Sequence, residues 1–440
     1  MDARRLHDTW AYERYGVITK LTASAWAILE YICYPLLLFL ATPYLLRTLG
    51  AEGFGYWMLL TATVGFGSVL NAGTGAATIK QVSAGNNHPS NEYIENIIST
   101  SLAIALAGGG LLAALILFVF GVAGDVLFSK MGNSSLVLLT GVTAALLTWI
   151  EQIDNVFSSA LKGAERFGLA AGVEIASKTT QILVAVLAVS IIEEVAALYI
   201  GLVFVAIVRV VAKHSIVSRT FGIPPIRPSA RNLSEVLHFA KWGWLQGAGG
   251  LFFGVADRIL IAAMLGASSL AHYSIATQLA MQIHALSAAG FSVLFPKVSR
   301  RMELDADFSL VRITRLAMMV NFSTSSALAI GLLLFGENIL TWWLGKAEVE
   351  AYLSIFKYLI IAYWMLANNV VPYYILLGLG KMKIIGISCM LFGVLSIIIM
   401  YAAITTIGSG GTPAGRLAYG AFTLALIYPL MQQIYNKRII

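Results

Sequence analysis

Apolar runs of roughly 20 residues, the length that carries a helix across ~30 Å of hydrocarbon, recur along almost the whole chain. Twelve of them begin near Ala23, Tyr56, Ile97, Ser134, Gly168, Val195, Ala240, Ser269, Arg312, Ala351, Lys383 and Pro413, with short polar segments between. The longest interruption runs from about Arg219 to Lys241 and holds Pro224, Pro225 and Pro228, which break helices. The pattern predicts an all-α polytopic membrane protein of about 12 transmembrane helices. It divides into a cytoplasmic or interfacial segment over 1–22, an N-lobe over 23–218, a cytoplasmic linker over 219–239 and a C-lobe over 240–440. The first apolar run is too long for a signal-peptide core and contains Glu30 and Pro35, so it reads as a retained span.

The two halves repeat each other. Leu49-Gly50-Ala51 followed by Trp57 returns as Leu265-Gly266-Ala267 followed by Tyr273. Phe120-Gly121 returns as Phe335-Gly336, and Leu161-Lys162-Gly163 with Arg166 returns as Leu376-Leu377-Gly378 with Lys381. An offset of 215 or 216 kept over four landmarks is the signature of an internal repeat. Six spans per half give both halves one orientation, as in parallel-repeat transporters.

Composition agrees with the pattern and excludes most alternatives. Hydrophobic residues make up 58% of the 440 and charged ones 12%, with a mean hydropathy of +0.81. That is about half the ~25% charge of an ordinary soluble domain, too little to coat a soluble enzyme. The net charge of +7 does not point to nucleic acid, because the basic residues sit between apolar runs instead of on one face. Most of the 29 Lys and Arg fall in every second inter-span segment. The positive-inside rule then puts both termini in the cytoplasm. Cys33 and Cys389 lie inside apolar runs and form no disulfide framework or thiolate metal site. No phosphate-binding loop of the G-x-x-x-x-G-K-[ST] form occurs, since Gly378-Leu379-Gly380-Lys381 lacks both the spacing and the hydroxyl. No cofactor or metal and no catalytic residue is expected, and uphill movement would draw on an H+ or Na+ gradient, a partner, or consumption of the product.

Charges within spans carry the remaining information, because each costs at least ~2.5–3.5 kcal/mol at the bilayer centre unless paired or hydrated. Glu151, Asp154, Asn155 and Ser158 share one helical face, and Glu174, Ser177, Lys178 and Gln181 share another at similar depth. Lys178 is expected to pair with Asp154 or Glu151 across these helices, either as a structural bridge or as part of a cavity wall. Gly243, Gly247, Gly250, Gly254 and Asp257 form one stripe that suits close packing or a ligand, with Arg258 pointing elsewhere. Glu30, beside Pro35, is a candidate proton or cation site or a solvated residue at the cytoplasmic mouth. Asn368 and Asn369 complete the candidates for a substrate or ion path, Asn369 being the repeat counterpart of Asp154. Lys357 lies near a span end, where it can snorkel to the interface.

Three stretches resemble the polysaccharide flippases of the Wzx type. They are Pro43-Tyr44-Leu45-Leu46-Arg47-Thr48-Leu49-Gly50-Ala51-Glu52-Gly53-Phe54-Gly55-Tyr56-Trp57, Leu161 to Gly168, and Asp257-Arg258-Ile259-Leu260-Ile261 running on to Tyr273. The resemblance covers essentially the whole chain. It implies the multidrug/oligosaccharidyl-lipid/polysaccharide exporter superfamily, with two six-helix lobes forming a V. It implies movement of an undecaprenyl-diphosphate-linked oligosaccharide across a bacterial inner membrane by alternating access, for O-antigen, capsule or exopolysaccharide synthesis. The implied partners are the lipid-linked oligosaccharide, membrane lipid, and a polysaccharide polymerase and chain-length regulator. Relatives have cationic cavities, whereas here Lys178, Arg258, Lys357 and Arg209 face five embedded acids. A strongly anionic glycan therefore fits poorly, but the diphosphate still needs a cation, for which Arg258, Arg209 and Lys178 are the candidates. Bidentate phosphate recognition favours the arginines. The alternative is an ion-coupled antiporter of small cationic drugs or metabolites on the same fold.

Overall fold

The computed structural model describes residues 3–85, 92–192, 194–222, 233–238, 240, 244, 252–295, 297–298, 310–345 and 349–436. Within these, the side chains of 3–25, 27, 28, 30–32, 72, 85, 252, 253, 351 and 433–436 are outside the description. The side chain of Glu30, the linker prolines, Pro296, and Gly243, Gly247 and Gly250 of the glycine stripe thus lie outside it.

The described residues are helical almost throughout and contain no strand. The helices used below are α1 (Ala3–Gly65), α2 (Gly67–Gly85), α3 (Glu92–Val122), α4 (Ser134–Gly163), α5 (Phe167–Ile192) and α6 (Val195–Phe221). They continue with α7 (Asp257–Leu265), α8 (Ala267–Ala280), α9 (Gln282–Phe291), α10 (Leu310–Leu344), α11 (Val349–Asn368) and α12 (Val370–Gly378). The last three are α13 (Met382–Ile407), α14 (Ala414–Thr423) and α15 (Ile427–Asn436).

Among the described residues, eight helical segments are long and apolar enough to cross a membrane. The apolar runs near Ser269 and Pro413 do not appear as single long helices. Met281 divides the first into α8 and α9, and a 3₁₀ turn at Leu424–Leu426 separates α14 from α15. The runs near Ala23 and Tyr56 join through α1, so that the apolar segment runs from Cys33 to Asn71.

Two compact units make up the chain. The first comprises Met1–Leu49, Gly67–Phe120 and Leu139–Trp244, and the second Gly50–Phe66, Gly121–Leu138 and Leu245–Ile440. A core of α3, α4 and α6 residues, including Ile97, Ile98, Phe157, Leu161 and Val217, sits in the first. A core including Val298, Val371, Ile375, Leu376 and Leu430 sits in the second.

The repeat seen in the sequence has matching backbone geometry. Gly50 interrupts α1 at φ 70°, ψ 173°, and Gly266 ends α7 at φ 85°, ψ −173°. Both lie in the positive-φ region that glycine enters without steric cost. At the last landmark, a Cβ on Gly163 would stand 2.8 Å from Val82 Cβ and 2.9 Å from the Ile79 carbonyl oxygen. A Cβ on Gly378 would stand 2.9 Å from Val298 Cβ and 3.0 Å from the Phe295 carbonyl oxygen. Each glycine lets two helices of its own unit touch. Each turn is then closed alike, by Arg166 N–H on Leu161 O at 2.9 Å and Lys381 N–H on Leu376 O at 3.0 Å.

Candidate functional site

In the first unit, α4, α5 and α6 bring six charges together. Glu151 and Asp154 are three residues apart on α4, and Arg209 and Lys213 four apart on α6, so each pair shares a helical face. Arg209 Nη2 donates to Glu151 Oε1 at 2.6 Å and Nη1 to Glu174 Oε1 at 3.3 Å. Its Nε lies 3.3 Å from Asp154 Oδ1, in ionic contact but out of line for a hydrogen bond. Lys213 Nζ donates to Asp154 Oδ2, Glu174 Oε2 and Ser158 Oγ, each at 2.7 Å. Three carboxylates face three cations once Lys178 is counted, so the cluster is neutral. Lys213 and Arg209 are buried, while Glu151 and Lys178 keep about a third of their side-chain surface.

The expected pairing of Lys178 with Asp154 or Glu151 is not the one found. Lys178 Nζ lies 3.5 Å from Glu174 Oε1 on its own helix, and 4.6 Å from the Tyr34 ring centroid. One helical turn separates Lys178 from Glu174, and the α4 carboxylates are already taken by the α6 cations. Arg209, expected to meet a diphosphate, is committed to three carboxylates. The tally of embedded cations also needs correcting. Lys213 and Arg416 are not among the embedded cations named from the sequence, yet both are buried. Lys213 was legible in principle, being one turn beyond Arg209 on the same face. Arg416 stands three residues into the last apolar run, where a span boundary is hardest to fix.

The second unit holds a smaller cluster. A π-helical turn at Phe252–Ala256 runs into α7, whose first residue is the buried Asp257. Single-turn π segments inside helices are common at functional positions. Arg416 Nη2 lies 2.6 Å from Asp257 Oδ2, and Arg416 Nε and the Tyr273 hydroxyl donate to the same oxygen at 2.8 and 2.6 Å. The guanidinium also sits 5.7 Å from the Tyr363 ring centroid. The other carboxylate oxygen accepts the backbone N–H of Arg258 at 2.9 Å.

Arg258 therefore starts from a fixed backbone. Its side chain is partly buried, its Nε has no hydrogen-bond partner, and among the described residues no carboxylate pairs with it. Among the described residues it is thereby a candidate cation still open to an anion. Asn369 sits in the break between α11 and α12, three residues before Pro372, with its side-chain oxygen buried and unbonded. Asn368 Nδ2 instead donates to Trp364 O at 2.8 Å. The candidates thus separate. Glu151, Asp154, Glu174, Lys178 and Arg209 form one cluster, Asp257 and Arg258 belong to a second, and Asn368 and Asn369 mark a helix break.

Long apolar helices with buried, compensated charge define a multi-pass membrane protein, and its fold is that of the MOP transporters. A multidrug-resistance MATE family transporter of the MOP superfamily, solved in an inward-facing conformation, superposes with a TM-score of 0.77 at 15% identity. The match covers 93% of this chain and 98% of that one. The lipid II flippase MurJ, in an inward closed conformation, gives 0.73 at 12% identity over 93% and 87% of the two chains. At these identities the likeness establishes the fold. The family model for polysaccharide biosynthesis proteins matches residues 22–302, and the chain belongs to that family. A Shigella flexneri protein named "Putative O-antigen transporter" is 21% identical over 419 residues, 94% of this chain and 99% of that protein.

Proposed function

We propose that this protein moves an undecaprenyl-diphosphate-linked oligosaccharide from the cytoplasmic to the periplasmic leaflet of a bacterial inner membrane, by alternating access, with both termini cytoplasmic. The task is to pass a polar glycan and a diphosphate through ~30 Å of hydrocarbon. It forms no bond, so the demand on the protein is a path with a cation for the diphosphate. The observation that carries the reading is Arg258. An arginine in a membrane chain without a counter-charge among the described residues calls for an anion or water, and its planar fork suits two phosphate oxygens. Membership of the polysaccharide biosynthesis family supports a glycan cargo. An ion gradient is the natural energy source for the uphill direction.

The test is a deletion strain analysed for surface glycan and for lipid-linked sugars in each leaflet. Loss of surface glycan, with the lipid-linked unit retained on the cytoplasmic leaflet and restored export on complementation, is the expected result. Normal glycan with altered tolerance to cationic drugs would replace this reading with the antiporter.

A further inference from the structure

Arg258 sits in a short helix with a break at each end. The π-helical turn at Phe252–Ala256 precedes α7, which has only nine residues before Gly266 at φ 85°. A π turn holds one residue more than an α turn, so residues beyond it are set back by about one position, ~100° of rotation. Neither break fixes the direction in which α7 presents its side chains, so the direction has to be set by groups outside the helix.

Those groups meet at the neighbouring carboxylate. Asp257, Tyr273 and Arg416 come from α7, α8 and α14 and close a triangle. The Tyr273 hydroxyl donates to Asp257 Oδ2 at 2.6 Å. Arg416 Nε donates to the same oxygen at 2.8 Å and to the Tyr273 oxygen at 3.2 Å. All three residues are buried. We propose that Tyr273 and Arg416 are positioning residues that act through Asp257 to aim Arg258 at the diphosphate of the cargo; this rests on the flippase reading above.

The use of the two carboxylate oxygens carries the proposal. A guanidinium and a carboxylate commonly meet fork to fork, two nitrogens on two oxygens, which is the strong arrangement. Here Arg416 Nε and Nη2 both lie against Oδ2, at 2.8 and 2.6 Å. Oδ1 is left for the backbone N–H of Arg258 at 2.9 Å. The ion pair is held off its strongest geometry, and the oxygen so released tethers the residue whose own Nε has no hydrogen-bond partner among the described residues. Stability alone gives no reason for this, since well-packed apolar residues often replace a buried ion pair without loss. A ligand-binding side chain, by contrast, needs a supporting shell that locks its direction.

A double-variant cycle tests the assignment. Full-length protein in nanodiscs would be titrated with farnesyl diphosphate as the probe. Arg258→Ala is expected to weaken binding about tenfold or more, as loss of a hydrogen bond to a charged group does. Tyr273→Phe should weaken it about fivefold, within the range for coupled residues of one network. The double variant should bind no more weakly than Arg258→Ala alone, because no guanidinium is left to aim. Gly378→Ala, which presses on Val298 in the same unit, should melt lower yet bind the probe as the wild type does. Arg416→Lys keeps the charge and loses the fork, and it takes the place of Tyr273→Phe in the cycle if that variant does not accumulate. Losses that multiply in the double variant, or an equal loss in Gly378→Ala, would overturn the positioning role and leave a structural cluster, while the flippase reading stands. Arg258→Ala binding the probe as tightly as the wild type would instead remove the diphosphate contact on which both readings rest.

Discussion

Lys213 on α6 and Asp154 on α4 meet at 2.7 Å, with side-chain exposures of 0% and 6%. In a membrane chain this pair is held against a strong tendency of each charge to find water. Two ions that compensate each other are tolerated, but one left alone is not. Removing a single partner of a buried pair costs about 3–5 kcal/mol. Lys213→Met should therefore lower the melting temperature in detergent sharply or prevent accumulation. Adding Asp154→Asn to it should recover part of the loss, because Arg209 still has Glu151 and Glu174. A Lys213→Met protein that melts with the wild type would contradict the cluster.

The second cluster grades its own members. Asp257 and Arg416 are an ion pair, and Tyr273 adds a hydrogen bond to the carboxylate. Tyr273→Phe should cost about 1.5–3 kcal/mol, the range for a hydrogen bond to a charged group. Asp257→Asn and Arg416→Met should cost more, about 3–5 kcal/mol each. Thermal melts of the three variants check this order.

Arg258 should behave in the opposite way. Among the described residues no carboxylate loses a partner when it is removed, so Arg258→Ala should melt close to the wild type yet fail to restore surface glycan in the deletion strain. Arg258→Lys should restore it partly, since an ammonium keeps the charge but not the bidentate fork. Equal complementation by all three proteins would exclude this residue as the diphosphate contact.

The repeated turn after α4 and after α12 gives a further measurement. Glu165 has φ 60°, and Gly380 at the equivalent place has φ 71°. The left-handed region costs a residue with a Cβ roughly 1–2 kcal/mol. Glu165→Gly should therefore stabilise by up to about 1 kcal/mol after its own entropy cost. Gly378→Ala should destabilise, because its Cβ would press on Val298. Opposite shifts in melting temperature are the expected pair of results.

Much of this was legible in the sequence, for identifiable reasons. Span length is a direct consequence of bilayer thickness, so helical class and approximate span positions followed from apolar runs. Of the glycine landmarks, Gly50 and Gly266 proved to be positive-φ turns and Gly163, Gly336 and Gly378 close helix contacts, whereas Gly121 has open space around it. The faces carrying Glu151–Asp154 and Glu174–Lys178 were visible because helical periodicity fixes which residues share a side. What stayed hidden was which face looks at which. Lys213 lies near the end of an apolar run, where a snorkelling residue and a buried ion look alike in sequence. Arg416 pairs with Asp257 across 159 positions of chain, and no local pattern records that. The division of the run near Ser269 into short helices was equally hidden, since Met281 carries no breaker signal.

The neutral cluster on α4, α5 and α6 has a mechanical consequence. Sliding any one of these helices along its neighbours by a turn would pull a carboxylate from its cation and leave both bare in low dielectric. The three helices must therefore travel as one rigid piece in any cycle the protein undergoes. Flexing has to fall where the hydrogen-bond ladder is already interrupted. Gly50 within α1, where the chain passes from the first unit into the second, and Asn369 between α11 and α12 are two such places, and they are natural hinges.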